Sequence, residues 1–176
     1  RTSLVKTLLT ALPALLRGAV FCGDKCNFGE RCVFERNDAD TAGAVYCSPN
    51  TSFGTGAIFR FNVARGSTQG CGGALLLSGN VSRLSSLFFF NNTCTNANAL
   101  EPQQGGAVHA QTGRTVIENC VFSGNYVLEG GGGGGVAIYS ILAEIYDTLF
   151  VDNWSNGGGA IKLYSYFELE PCLFVL

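Results

Sequence analysis

The chain repeats one short pattern along most of its length, and this internal repetition limits the possible folds more than any other sequence feature. A complete copy opens with two glycines and an apolar run and closes with a Phe that an Asn follows three positions later. The clearest copies are GGALLLSGNVSRLSSLFFFN, GGAVHAQTGRTVIENCVFSGN, GGVAIYSILAEIYDTLFVDN and GGAIKLYSYFELEPCLF, and weaker ones are AGAVYCSPNTSFGTGAIFRFN and CVFERN. The closing residues are Phe34, Phe59, Phe88, Phe122, Phe150 and Phe174.

The distance from opening to closing residue is nearly constant, whereas the connectors between copies differ in length. In the four clearest copies the opening glycine lies 16 or 17 positions before the closing Phe. A constant segment joined by variable connectors is typical of a solenoid, in which each repeat stacks only on its neighbours.

The runs within each copy are rich in β-branched and aromatic residues and show no sustained helical period, which predicts short strands. We therefore expect an all-β, right-handed parallel β-helix of about five to six coils. Equivalent residues stack about 4.8 Å apart in such a fold, so the closing phenylalanines should form one internal ladder. In FFFNN the register is open by one residue, since Phe89 with Asn92 fits as well as Phe88 with Asn91.

Two further columns and a bend follow from the same alignment. Small residues occupy the position two before each closing Phe, and apolar residues occupy the position five before it, as at Ile117, Ile145 and Leu169. A step of three between these columns breaks strict alternation, so we expect bends at Glu118–Asn119, Tyr146–Asp147 and Glu170–Pro171.

The GGA[IVL] opening followed by FxxN resembles the repeats of the chlamydial polymorphic outer membrane proteins, and more broadly the right-handed β-helix, pectin-lyase-like superfamily. The resemblance covers residues 32–176. It implies an extended extracellular or cell-surface module and does not imply a particular chemistry.

Residues 1–31 differ from the repeats and are expected to form a separate N-terminal cap. Leu4, Leu8, Leu12 and Leu15 fall on one face of a helix, and an amphipathic helix would cover the apolar end of the first coil. A secretory signal is the other interpretation, because a charged start precedes an apolar run that is too short to span a bilayer.

The eight cysteines indicate an oxidising compartment. The candidates for disulfides are Cys22, Cys26, Cys32 and Cys47. Reduced thiols and a metal site remain alternatives for the cluster before the repeats, although it lacks the two-residue spacing usual for zinc.

Four Asn-x-Ser/Thr sequons agree with export, and we expect N-linked glycans rather than a cofactor to be the non-protein groups. The candidates are Asn80, Asn50, Asn91 and Asn153, with Asn80 first. The last two coincide with FxxN, where a laddered Asn could not carry a glycan, so the two interpretations compete.

We do not expect nucleic-acid binding, because only 14% of residues are charged and the formal net charge is −2. The absence of Met and the unfinished last copy suggest a fragment, or a subunit whose open last coil is covered by another molecule. We expect a non-enzymatic, secreted structural glycoprotein that stacks end to end into a filament or rod.

Two rival classes remain. A surface adhesin or carbohydrate-binding β-helix would use exposed aromatics such as Tyr126, Tyr139, Trp154, Tyr164 and Tyr166 against surface glycans or cell-wall polymers. A polysaccharide lyase or hydrolase has less support, since the single histidine, His109, lies on an apolar strand. The acidic residues available to an enzyme or a calcium site are Glu35, Asp38, Asp40, Glu168 and Glu170.

Overall fold

The computed structural model describes residues 8–9, 20–23, 26–47, 51–66, 71–95, 104–128, 132–164 and 166–175, and all their regular elements are β-strands. The strands are β1 (Leu8–Leu9), β2 (Val20–Cys22), β3 (Asn27–Phe28), β4 (Val33–Glu35), β5 (Asp38–Ala39), β6 (Val45–Cys47), β7 (Ser52–Phe53), β8 (Ile58–Arg60), β9 (Val63–Ala64), β10 (Cys71–Gly72), β11 (Leu75–Ser85), β12 (Phe88–Phe90), β13 (Thr93–Thr95), β14 (Gln104–Gly105), β15 (Val108–Glu118), β16 (Val121–Ser123), β17 (Tyr126–Leu128), β18 (Val136–Ile138), β19 (Leu142–Val151), β20 (Ile161–Leu163) and β21 (Tyr166–Val175).

The strands wind into a parallel β-solenoid of about five turns, which confirms the all-β solenoid prediction. One column of parallel strands follows the glycine openings and consists of β2, β6, β11, β15, β18 and β20. A second column carries the closing phenylalanines and consists of β1, β4, β8, β12, β16, β19 and β21. A third side is formed by β5, β9, β13 and β17.

A ladder of phenylalanine rings runs through the interior along the second column. The ring centroids are 4.6 Å apart from Phe34 to Phe59, and 4.6 Å apart from Phe89 to Phe122. The ladder continues through Phe150, and its members up to that residue are at most 1% exposed. Burial of each ring contributes about 1.5 to 3 kcal/mol, and stacking adds about 0.5 to 1.5 kcal/mol.

The prediction that Phe88 belongs to this ladder is wrong by one residue. Phe89 pairs in register with Phe59 and Phe122, whereas Phe88 points outward. The structure selects the later register because Leu84 and Leu87 then fall in the two predicted inner columns, and both are fully buried.

A second ladder, made of asparagine amides, lies beside the phenylalanines. Asn62 donates from Nδ2 to the Asn92 Oδ1 at 2.8 Å and to the Phe34 carbonyl at 3.0 Å. Its backbone N–H also donates to the Asn92 Oδ1. The same pattern recurs between neighbouring coils along Asn37, Asn62, Asn92, Asn125 and Asn153.

Each coil turns sharply on either side of the Phe strand through residues with positive φ. The bend before the strand lies at Asn119 with φ 51° and at Asp147 with φ 45°, as predicted. Pro171 holds the equivalent position in the last coil, where its ring fixes φ at a negative value. The two columns of bend residues are Arg31, Gly56, Ser86, Asn119 and Asp147, and Arg36, Phe61, Asn91, Gly124 and Asp152.

The glycine pairs allow the coil to close on itself without side chains. A Cβ on Gly106 would lie 1.9 Å from the carbonyl oxygen of Gly134 in the next coil and 2.6 Å from the backbone nitrogen of Tyr126 in its own coil. Gly105 aligns with Gly133, which shifts the predicted opening of that copy one residue earlier. The paired glycines are therefore required by close backbone approach.

The structure does not support the helical N-terminal cap. Leu8 and Leu9 form a strand parallel to Val33 and Phe34, and the other residues of the predicted helix up to Ala19 lie outside the described residues. The strand continues the Phe column by one further step, so the edge of the first coil is paired through backbone hydrogen bonds.

We predict that Phe89→Ala lowers the free energy of unfolding by about 3 to 5 kcal/mol, because it leaves a cavity in the dry ring ladder. The matched variant Phe88→Ala should cost less than about 1.5 kcal/mol, since that ring is half-buried on the outer face. Urea denaturation of both variants measures the difference. Equal losses would contradict the register described above.

The amide ladder allows a second matched pair. Asn92→Ala removes the acceptor of Asn62 and should destabilise the protein by about 1 to 3 kcal/mol. Asn91→Gly should change stability by less than about 0.5 kcal/mol, because Asn91 is exposed with φ 50°, a conformation that glycine adopts freely. Thermal unfolding followed by circular dichroism distinguishes the two results.

Candidate assembly surface

The last coil presents a long strand whose outer edge is unpaired within the described part of the chain. β20 and β21 pair only with the preceding coil. β21 spans ten residues, and it carries the internal columns of the solenoid to an exposed end. An open parallel edge is a template for pairing with another strand.

The side chains at this end belong to the core columns but face solvent. Phe174 stacks on Phe150 with ring centroids 5.2 Å apart, yet 46% of Phe174 is exposed, against 1% of Phe150. Leu169 and Phe167 align with the fully buried Ile145 and Ala143. The end therefore exposes the cross-section of an apolar core.

A shallow apolar cleft of about 390 Å³ lies at the centre of this end. Its lining residues are Ala160, Ile161, Leu163, Phe167, Leu169 and Phe174. None of these side chains carries an ionisable group, so the lining of the cleft is suited to apolar rather than charged groups. We refer to this cleft together with the free edge of β21 as the end face.

The acidic candidate Glu168 lies near an Arg114–Glu144 ion pair that sequence reasoning did not single out. Glu144 accepts two hydrogen bonds from Arg114, at 2.6 and 2.8 Å, and this pairing lowers the pKa of Glu144. The Tyr146 hydroxyl lies 3.1 Å from Glu144 and 3.2 Å from Glu168. Desolvation and these carboxylates raise the pKa of Tyr146 to about 12. Such a group remains protonated near neutral pH and cross-links two coils.

The remaining acidic candidates do not converge on one site. Arg65 donates to both carboxylate oxygens of Asp38, and Arg60 donates to Glu35 at 2.8 Å. Within the described ranges, no group of three or more His, Cys, Asp or Glu side chains is placed to hold a metal ion. His109 is fully buried in β15, with its ring edge against Tyr139 at 5.6 Å between centroids.

The described residues contain two disulfides. Cys22 pairs with Cys26 within the predicted cluster, and the second disulfide joins Cys71 to Cys94 with 6.0 Å between their Cα atoms. Cys32 and Cys47 are free thiols, which corrects the expectation that they form disulfides, and burial raises the pKa of Cys47 to about 12.

The Cys71–Cys94 disulfide was missed from the sequence. Its signal lies in the repeat alignment, because one cysteine directly precedes a glycine opening and the other comes two residues after a ladder Asn in the same coil.

The sequons fall in different environments. Asn80 and Asn91 are exposed, whereas Asn153 is 5% exposed and its amide belongs to the ladder. Asn50 lies outside the described residues. The register correction therefore resolves the competition at Asn91, because Asn92 takes the ladder position.

The outward aromatics form stacks between neighbouring coils. Tyr126 stacks on Trp154 at 4.7 Å, and Tyr139 stacks on Tyr164 at 4.2 Å. Tyr166 is 85% exposed and borders a cleft of about 400 Å³ with Ser140, Ile141 and Tyr164.

Comparison with known proteins gives no relative from which to transfer a function: no family model, curated protein or solved structure matches the chain. In the described residues, no helix is long and apolar enough to cross a membrane.

Proposed function

We propose that the protein is a non-enzymatic extracellular structural glycoprotein whose solenoids stack end to end into a filament or rod. The exposed end face carries this proposal. An apolar core cross-section and a ten-residue free strand edge occur together there, and a further parallel coil would pair the edge and cover the apolar side chains in one step.

We propose a second copy of the chain as the occupant of the end face. β1 is the terminal strand at the opposite end of the Phe column and runs parallel to β21. Contact between the end face of one copy and the β1 end of the next joins two different surfaces. Such a head-to-tail contact generates an open-ended assembly rather than a closed dimer.

We also propose a fold family for the solenoid. The glycine openings, the Phe ladder and the Asn ladder support membership of the right-handed, pectin-lyase-like β-helices, with repeats like those of the chlamydial polymorphic outer membrane proteins. The right-handed crossover that parallel strands favour agrees with this assignment. The two disulfides support a secreted or cell-surface location.

A surface adhesin is the second candidate function, and the cleft beside Tyr166 favours it. Tyr164 lies there with the Lys162 ammonium 5.1 Å from its ring centroid. Aromatic faces with polar neighbours are suited to binding sugar rings, so a cell-surface glycan or cell-wall polymer would be the ligand.

We predict that Phe174→Lys abolishes end-to-end growth, because a charge at the end face opposes burial against a second coil. Sedimentation velocity and negative-stain electron microscopy of wild type should show rods that lengthen with concentration, with an axial repeat of about 25 to 30 Å at about 4.8 Å per coil.

The control is Glu170→Lys, which changes an exposed charge on the same strand and should leave growth intact. Thermal unfolding verifies that both variants fold. A wild-type protein that stays monomeric at all concentrations contradicts the stacking proposal, and binding of wild type to a glycan array would then favour the adhesin.

A glycoprotein should carry sugar at exposed sequons only. After expression in a eukaryotic secretory host, we expect peptide mass mapping to find a glycan at Asn80 and none at Asn153, whose amide is held in the ladder. Asn80→Gln should then lose the mass of one glycan. Full occupancy at Asn153 would contradict the ladder, and no glycan at Asn80 would remove the support for a glycoprotein.

A further inference from the structure

The outside of the Phe column carries an uninterrupted apolar row. At the position directly before each ladder Phe the side chain points outward, and all six coils place an apolar residue there. The row consists of Val33, Ile58, Phe88, Val121, Leu149 and Leu173. It extends over five coil spacings, or about 24 Å.

The next outward row becomes apolar towards the end of the solenoid. It consists of Glu35, Arg60, Phe90, Ser123, Val151 and Val175. The side chains of the apolar row are half-buried by their in-register neighbours, apart from Leu173, which is 60% exposed. The first row is apolar throughout, whereas the second is apolar only at Phe90, Val151 and Val175. We take this apolar strip as a candidate interaction surface, since contiguous exposed apolar surface is typical of interaction sites. We call the two rows the side face.

The two bend columns border the side face and carry opposite charges at opposite ends. In the first coil both bends are basic, at Arg31 and Arg36, and in the fifth coil both are acidic, at Asp147 and Asp152. All four residues are exposed. The bends between them carry no charge. The rim of the side face is therefore positively charged at one end of the solenoid and negatively charged towards the other.

We propose that the side face binds the side face of a second copy, with the two solenoid axes antiparallel and a two-fold axis along Phe88–Phe90. This symmetry places the first coil of one copy against the fifth coil of the other and the third coil against itself. Arg31 then faces Asp147 of the partner copy, and Arg36 faces Asp152 of the partner copy. The aromatic side chains of the third coil meet at the centre.

The sizes of the facing side chains also favour this arrangement. Phe61 is a bulky bend residue with 45% of its surface exposed, and it lies in the second coil. The symmetry sets it opposite Gly124 of the partner copy, which has no side chain. Ile58 likewise meets Val121 of the partner copy, so at these two positions of the second coil a larger side chain falls opposite a smaller one.

The other face-to-face arrangement is disfavoured by the same charges. A two-fold axis along the solenoid would align equal coils, so Arg31 would face Arg36 of the partner copy and Asp147 would face Asp152. Like charges in direct opposition destabilise an interface. Arg36 already contacts Glu35 at 3.5 Å and lies over the Phe61 ring, but 75% of its side chain is exposed and within reach of a partner.

This contact is separate from end-to-end stacking. It joins the same surface on both copies and therefore closes after two molecules. One short strip of sheet is small compared with the roughly 800 Å² per partner of a stable interface, so we expect a weak dimer of the isolated chain.

The test uses charge reversal at the rim of the side face. The parent protein carries Phe174→Lys, which prevents end-to-end contact. It is also enzymatically deglycosylated, because a sugar on Asn91 would lie at the rim. One variant combines Arg31→Glu with Arg36→Glu, and the other combines Asp147→Lys with Asp152→Lys. Arg31 and Arg36 themselves occupy these bends, so a long basic side chain is compatible with the backbone.

Sedimentation equilibrium should show a dimer for the parent and about tenfold weaker self-association for each variant alone. An equimolar mixture should recover dimers, because every reversed pair is then attractive again. The proposal is overturned if the parent remains monomeric at millimolar concentration, if either variant alone dimerises like the parent, or if the mixture fails to recover. Circular dichroism melts establish that each variant is folded.

Discussion

The asparagine ladder is the interaction on which the stacking of the coils depends. Each of the three inner amides, Asn62, Asn92 and Asn125, uses its oxygen to accept from one neighbouring coil, and its nitrogen donates to a Phe carbonyl and to the next Asn of the ladder. A buried amide that loses these partners costs about 1 to 3 kcal/mol, so a slip of register is opposed at every coil. The phenylalanine ladder next to it stabilises the stack by burial of the rings, but burial is not directional and does not select one register. The amides set the register, and the rings are the largest fully buried side chains of the core.

The repeated pattern made the solenoid and most of its core columns predictable, because glycine pairs and FxxN report backbone contacts that recur in each coil. The register at FFFNN was not decided by the motif, since both alignments satisfy it. The register there is fixed by the burial of Leu84 and Leu87, which lie five and two residues before Phe89 and are not part of the motif.

The N-terminal leucines show a different limit of sequence reasoning. Their spacing suits a helix, but the open edge beside Val33 and Phe34 offers backbone hydrogen bonds, and Leu8–Leu9 pair there as a strand. The Cys71–Cys94 disulfide depends on how a coil closes in space, which separation in the sequence does not report. The side face appears only once the outward rows are known, because the motif does not report which side chains point away from the core.

The two proposed contacts use different surfaces of the solenoid and extend in different directions. Stacking at the end face continues the strand pairing along the solenoid axis, and pairing at the side face uses the outward side of the Phe column. The charges support this division, because the end-face cleft has no ionisable lining, while the rim of the side face carries Arg at one end and Asp at the other. A rod built through the first contact would present the second contact repeatedly along its length, which raises the avidity of weak side pairing.

The Cys71–Cys94 disulfide links a residue at the entry of the third coil to one near the end of the same coil, 23 positions later. A full turn of the solenoid is thereby closed into a covalent ring. Repeat proteins lose structure by fraying from their ends, one unit after another, because each unit contacts only its neighbours. The ring lies inside the stack, with coils on both sides of it. The covalent ring restricts the unfolded forms open to the third coil, so unfolding that spreads from either end is opposed where it reaches this coil.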